Sequence, residues 1–177
     1  DLLATREKVG ILLQPDPDPD GIASGIALRA LLGRKSPTAP LISFGAVKRP
    51  ENRAMIAALG VEVRIVTPPE LEEFDGLTLV DVQPPVFGES PPARVLSVAA
   101  VIDHHPERGG YDTVIGDIRT PYGATSTILT EYVRAAGIEI RPRLATALLY
   151  GIKSDTQLLG RETSRYDIAA FAYLHAE

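Results

Sequence analysis

The chain has no cysteine, which excludes a disulfide framework, a thiolate zinc site, an iron–sulfur cluster and a cysteine nucleophile in one step. Any chemistry must use oxygen and imidazole groups. Tryptophan is absent too, and the six tyrosines and four phenylalanines form no basic–aromatic stripe of the kind that stacks single-stranded bases. No apolar run approaches the ~20 residues that span a bilayer. The first residues, Asp1-Leu2-Leu3-Ala4-Thr5-Arg6, lack the basic-then-apolar pattern of a signal peptide, so a cytoplasmic setting without a membrane partner is expected. Positive charge is in deficit: 18 Lys and Arg against 23 Asp and Glu give a net charge of −5. That disfavours non-specific binding to a phosphate backbone, unless the acids gather in one site and hold cations. What is present is ordinary globular material, 45% hydrophobic and 23% charged over 177 residues. A chain of that length removes roughly 70% of its unfolded surface from water. With no repeat, low-complexity tract or Gly/Ser linker, it reads as one domain over residues 1–177.

Short apolar runs alternate with helical patterns. Val9-Gly10-Ile11-Leu12-Leu13 reads as a buried parallel strand closed by a Pro-rich stretch. From Gly21 to Leu32 apolar residues recur at Ile22, Ile26 and Ala30 and at Ala23, Ala27 and Leu31, a helix stopped by Gly33. Leu41 to Phe44, Asn52 to Leu59 and Val61 to Val66 repeat the order as strand, helix, strand. Leu77 to Val80 and Val98 to Ile102 read as adjacent central strands, separated by a Pro-rich loop from Gln83 to Pro92, and Thr113 to Ile118 as another strand. Helical stripes follow at Ile128, Leu129, Tyr132, Val133 and Ala136 and at Leu144, Leu148 and Ile152, and a capping box at Ser164-Arg165-Tyr166-Asp167 opens a last helix. The fold class expected is α/β, a mostly parallel sheet flanked by helices and covered on both faces, with a helical C-terminal part. In such folds ligands bind beyond the strand C-termini.

Acids stand at those ends. Asp18 and Asp20 follow the first strand, Asp81 the fourth, Asp103-His104-His105 the fifth, and Asp155 closes a helix. Any one of them is ordinary turn or cap chemistry. Together at one sheet edge they would repel one another, and burying each uncompensated costs several kcal/mol, so cations are expected there. Oxygen donors with one or two imidazoles suit Mn²⁺, with Mg²⁺ as the second choice. In Asp18-Pro19-Asp20 the i, i+2 spacing points both carboxylates one way on an extended segment. Asp81 is placed to be shared, and two ions ~3.5–4 Å apart activate a water and stabilise attacking and leaving oxygens in phosphoryl displacement. The helix N-terminus at Gly21 to Ser24, with the Ser24 hydroxyl, would take a phosphate.

Pro17-Asp18-Pro19-Asp20-Gly21-Ile22-Ala23-Ser24, Val80-Asp81, Ile102-Asp103-His104-His105-Pro106 and Gly151-Ile152-Lys153-Ser154-Asp155-Thr156 resemble the four ordered motifs of the DHH phosphoesterases, manganese-dependent enzymes of RecJ, oligoribonuclease, cyclic-dinucleotide phosphodiesterase and pyrophosphatase type. The resemblance covers nearly the whole chain. It implies a Rossmann-like catalytic domain of the RecJ-like or oligoribonuclease type that hydrolyses phosphoester or phosphoanhydride bonds. It also implies two divalent cations, one held by Asp18 and Asp81 and the other by Asp20, Asp81, His104 and Asp155. Asp103 would orient an imidazole, and His105 would approach the scissile phosphate. A histidine is usual four residues before the first aspartate of the opening motif; here Gln14 stands there, a poorer ligand, so the first ion would bind more weakly or use Asp16 or water. An active two-metal enzyme, a one-metal enzyme and a non-catalytic nucleotide-binding module all remain open, with activity preferred.

The substrate expected is a nucleotide, short oligonucleotide or single-stranded nucleic acid; an inorganic pyrophosphatase is the alternative. The C-terminal substrate-binding domain usual in the family would be absent from this chain, which points to a fused regulatory or substrate-binding domain elsewhere as a partner, and to a homodimer as another. Further candidates for phosphate contact are Ser126, in Gly123-Ala124-Thr125-Ser126-Thr127, and Arg161 and Arg119 through their guanidiniums. Lys48-Arg49 reads as a solvated loop and His175 as a surface residue.

Overall fold

The computed structural model describes residues 8–33, 39–85 and 98–177. The N-terminal hexapeptide and the stretch 86–92 of the Pro-rich loop lie outside them. Six strands form one all-parallel sheet: β1 (Val9–Leu12), β2 (Leu41–Ser43), β3 (Val63–Ile65), β4 (Gly76–Val80), β5 (Val98–Asp103) and β6 (Ile115–Ile118), in the order β3-β2-β1-β4-β5-β6. The order reverses between β1 and β4, and an open parallel sheet binds its ligands in the crevice outside such a reversal. Five helices accompany it: α1 (Pro19–Leu32), α2 (Pro50–Leu59), α3 (Thr125–Ala135), α4 (Pro142–Asp155) and α5 (Arg165–His175).

Proline starts three of the helices. Pro19, Pro50 and Pro142 are the first residues of α1, α2 and α4, where a missing N–H costs nothing and φ is already helical. This moves the start of α1 two residues ahead of the expected Gly21. The capping box of α5 forms as its sequence predicts, with Ser164 and Asp167 reciprocally bonded. A 3₁₀ segment at Pro68–Glu73 is not foreseen by periodicity; it is capped by Thr67 and Glu70.

The pleat divides the core in two. Ile11, Leu13, Leu41, Val80 and Ile102 face one side and pack with apolar residues from all five helices, while Leu12, Ile42, Leu79 and Val101 face the other, as a period of two requires. Among the described residues the second face is covered by Leu71 and Phe74 around the 3₁₀ segment and by Tyr111 from the β5–β6 connection. No helix among the described residues is long and apolar enough to cross a membrane.

Gly151 marks the tightest crossing, of α4 over α1 and α3. A Cβ there would overlap Ser126 Oγ and stand 3.2 Å from Ala23 Cβ and from Asp20 Oδ1. In an open helix Gly→Ala gains up to ~1 kcal/mol of propensity, but overpacking costs ~1–3 kcal/mol. Gly151→Ala is expected to be net destabilising by urea unfolding; a rise in stability would show the crossing to be loose.

Candidate active site

Asp18 caps α1 in an extended conformation, and its Oδ1 accepts the Gly21 N–H at 3.0 Å. Asp20, in the first turn, is fully buried. Its carboxylate accepts the backbone N–H groups of Thr125 (2.7 Å) and Ser126 (2.8 Å). The positive end of α3, expected to bind a phosphate, is thus filled by a carboxylate from the other half of the chain.

Asp81 leaves β4 at φ +60°, and its backbone N–H donates to the Ile102 carbonyl at 3.0 Å. That left-handed conformation costs ~1–2 kcal/mol in most residues and less in Asp or Asn. It turns the side chain inward, where Oδ1 accepts the Thr125 hydroxyl at 3.1 Å and Oδ2 has no hydrogen-bond partner. Around Gly21, Asp81 Oδ2 and Asp18 Oδ1 stand 3.3 and 3.6 Å from where a Cβ would lie, so the orphaned oxygen is on the Asp18 side.

His104 Nδ1 lies 3.1 Å from the Tyr122 carbonyl, an acceptor that holds the neutral ring's proton on Nδ1 and so assigns Nε2 to a metal once its own proton is displaced. Nε2 is buried and makes no hydrogen bond. It faces Asp155 Oδ2 at 3.3 Å, Asp81 Oδ1 at 3.6 Å and Asp20 Oδ2 at 4.0 Å. His105, half exposed, has Nδ1 2.9 Å from Asp103 Oδ1 and 3.8 Å from Asp81 Oδ1. Asp103 does orient an imidazole, but that of His105; the support of His104 is a backbone carbonyl. The other Asp103 oxygen accepts from Gln83 Nε2 at 2.6 Å. Gln83, itself buried, accepts the Arg108 N–H on Oε1 at 2.7 Å.

Two groups of donors result, each closing to within 4.8 Å: Asp20, Asp81, His104 and Asp155, and Asp81, His104 and His105. The first holds every residue expected at the second ion. Asp18 joins neither group, and its Oδ2 accepts Gln14 Nε2 at 2.7 Å. Gln14 therefore presents an N–H to Asp18 and, so turned, offers that oxygen's neighbour no ligand. A divalent cation fits the larger group on the structure's own terms. His104 Nε2, buried and aimed into it, is unsatisfied, as is Asp81 Oδ2 at its edge towards Asp18, and three carboxylates with one imidazole are a donor set for Mn²⁺ or Mg²⁺.

The titration behaviour follows from crowding. Burial, reinforced by Asp155, pushes the Asp20 carboxyl up to about 7. Burial, then Asp20, Asp18 and Asp155, pushes Asp81 well above the usual carboxylate range. For His104 burial acts downward, but contact with Asp155 and the charge of Asp20 outweigh it and raise the imidazole to about 9. The hydrogen bond to Asp103 raises His105. Burial acts upward on Asp103, yet bonds from His105 and Gln83 hold it below its ordinary value.

Other expected contacts are not on the open side. Ser24 and Ser126 are both fully buried, with hydroxyls 3.4 Å apart, so the phosphate role expected of them is corrected: the α1–α3–α4 crossing seals them beneath Asp20. Arg119 is committed to Asp117 (2.8 Å) and Glu131 (2.7 Å) and lies over the Tyr122 and Tyr132 rings. Arg161 is exposed and pairs with Glu162 at 3.2 Å. Lys48, Arg49 and His175 are exposed, as expected. Three residues support the site in ways the sequence did not assign to them. Thr125 bonds two of its carboxylates, and Gln83 clamps Asp103; its i+2 spacing from Asp81 matches that of Asp18 and Asp20 and was the available signal. Asp167 is a fully buried carboxylate that takes the Gly123 N–H (2.9 Å), the Thr127 hydroxyl (2.6 Å) and the Ser164 hydroxyl (2.6 Å), fixing the loop that carries Tyr122.

A family model described as the DHH family, N-terminal domain, matches residues 8–152. An uncharacterized protein of Methanocaldococcus jannaschii is 36% identical over 94% of this chain and 34% of its own length. A probable manganese-dependent inorganic pyrophosphatase of Deinococcus radiodurans is 30% identical over 90% of this chain and 50% of its own length. Among solved structures, a Methanococcus jannaschii protein described as a candidate family II inorganic pyrophosphatase superposes with a TM-score of 0.73 at 24% identity, over 95% of this chain and 55% of that one. An exopolyphosphatase-related protein of Bacteroides fragilis superposes at 0.71 and 17% identity, over 99% and 54%; both likenesses concern the fold. The chain spans about half, or less, of the length of these relatives.

Proposed function

The chain belongs to the DHH family, and from that premise we propose that it carries the cation-binding half of a phosphohydrolase, with two divalent cations, Mn²⁺ preferred, and a nucleotide or short oligonucleotide phosphoester as substrate. The observation that carries the reading is the pair of buried, unsatisfied atoms, Asp81 Oδ2 and His104 Nε2, in a pocket of carboxylates at the strand reversal. Asp20, Asp81, His104 and Asp155 would hold one ion, and Asp18 with Asp81 the other. Bound there, the ions supply Lewis-acid stabilisation of phosphoryl oxygens and acidify a water.

The chain's own residues do the rest. Thr125 and Ser126 hold Asp20 in one orientation through backbone N–H groups, so that carboxylate need not reorganise when charge develops. The Tyr122 carbonyl keeps Nε2 of His104 pointed at the acids. Asp103, pinned by Gln83, holds the proton on His105 Nδ1 and keeps the ring cationic to higher pH, which leaves Nε2–H for a substrate phosphate or a leaving oxygen. A second reading, inorganic pyrophosphatase, is favoured by the name of the Deinococcus relative and uses the same residues.

A panel with Mn²⁺ separates the readings: adenosine 3′,5′-bisphosphate, a dinucleotide, a cyclic dinucleotide, single-stranded DNA and pyrophosphate. Release of a nucleoside monophosphate from the bisphosphate or dinucleotide is expected. Release of phosphate from pyrophosphate alone favours the second reading, and nucleotide binding without turnover at saturating Mn²⁺ makes the chain a binding module.

A further inference from the structure

The ends of α1 and α4 remote from the carboxylates enclose, with the end of α2, a cavity of about 520 Å³. At a rise of 1.5 Å per residue, Arg29 lies roughly 13 Å along α1 from Asp20, and Arg143 roughly 18 Å along α4 from Asp155. The cavity is thus separate from the catalytic cluster. Its floor is apolar, made by Ile26, Leu59, Val61, Ile138 and Leu144, and its charged wall is Arg29, Arg141 and Arg143 with a single acid, Glu139.

One of these cations is answered: Arg141 stands 4.0 Å from Glu139 at the exposed rim. Arg29 and Arg143 have no ion pair or side-chain hydrogen bond among the described residues. Arg143 is pressed against the bare end of α2, its Nη2 2.5 Å from where a Cβ of Gly60 would stand. Arg29 is half-buried, and burial, then the neighbouring Arg143, pull its pKa down, while Arg143 itself is exposed. The first turn of α4 holds no acid and has no side-chain cap, so the helix end adds to the positive field.

Guanidiniums bind phosphate oxygens in a bidentate way, and a cavity of this size lies within the ~300–1,000 Å³ range of small-molecule sites. Inorganic phosphate would leave the apolar floor in water, and an uncharged ligand would leave the arginines unanswered. We propose that this cavity is a second, non-catalytic site for an organic phosphate of nucleoside-monophosphate size, its phosphate between Arg29 and Arg143 and its apolar body on the floor. Such a ligand ties α1 to α4 at the ends opposite Asp20 and Asp155.

The test is a titration of the ¹⁵N-labelled protein with AMP, in EDTA at physiological salt, where the cation-free carboxylates of the catalytic cluster repel anions. Saturable shifts at the Gly60 and Leu144 amides are expected. Arg29→Gln and Arg143→Gln, each with an otherwise unchanged spectrum, should weaken AMP binding at least roughly tenfold, and Asp81→Asn should bind AMP like the parent. Pyrophosphate and adenosine, each offering half of the recognised chemistry, should bind at least roughly tenfold more weakly than AMP. The proposal is overturned by no saturable shift at those amides, by binding that survives both arginine variants, by binding lost in Asp81→Asn, or by adenosine or pyrophosphate matching AMP.

Discussion

Asp81→Asn is expected to abolish Mn²⁺-dependent hydrolysis while making the metal-free protein more stable. The two effects have one cause. Asp81 is buried among Asp18, Asp20, Asp103 and Asp155, and each contributes to raising its pKa. An uncompensated buried carboxylate costs several kcal/mol, and the amide removes that charge at almost constant volume. Asn also tolerates the backbone at φ +60°, its carbonyl oxygen can keep the Thr125 bond, and its NH₂ can donate towards the neighbouring carboxylates. A gain of ~1–3 kcal/mol, or roughly 2–12 °C in Tm for a chain this size, is therefore expected in EDTA. The same change replaces the oxygen on the Asp18 side with an amide NH₂ and leaves no carboxylate for the two proposed ions to share, and turnover should fall by at least ~10²–10³-fold. Thermal unfolding in EDTA beside an assay in Mn²⁺ checks both arms. A variant less stable than the parent without metal would mean that Asp81 is a structural residue.

Without divalent cations the protein should lose stability as pH rises from 5 to 9, and Mn²⁺ should reverse the trend. The Asp20 carboxyl is held up to about 7 in the fold against an ordinary value of 3.8, so its contribution is complete below the unfolded value and is lost as pH rises through about 7. His104, raised from 6.5 to about 9, contributes fully below 6.5 and loses that contribution as pH rises through about 9. Asp103 and Asp117 are depressed; their contribution is lost only as pH falls below the ordinary carboxylate range, outside this window. Metal ions compete with the protons for the same atoms, so the Mn²⁺-bound protein gains most where the free one is weakest. At Mn²⁺ about 1,000 times its Kd the gain is ~4 kcal/mol, or roughly 8–16 °C, at pH 8, shrinking towards zero near pH 5. Parallel melting curves in EDTA and in Mn²⁺ check this; curves that stay a constant distance apart across the range would contradict it.

The acids of the site were legible because each terminates an apolar run, and a run buried on both faces can end only where the sheet ends. What holds them was not legible. Asp20 is fixed by the first turn of α3, residues 105 and 106 positions away, and His104 by a carbonyl, which a reading of side-chain motifs cannot see. Ser24 stands where a helix N-terminus would offer its hydroxyl to a ligand, yet the close crossing that Gly151 permits puts it in the core. The 3₁₀ segment over the second face was missed for another reason: at six residues it is too short for periodicity to register, although Thr67 and Glu70 spell its cap. Gln14 shows a departure whose chemistry only the geometry explains, since its amide gives Asp18 a proton where an imidazole would give a lone pair.

The most direct test of the account is the anomalous diffraction of crystals grown in Mn²⁺. It predicts a peak surrounded by Asp20, Asp81, His104 and Asp155, and a second, weaker one between Asp18 and Asp81 that Gln14→His strengthens. No peak among Asp20, Asp81, His104 and Asp155 at saturating Mn²⁺ would contradict it.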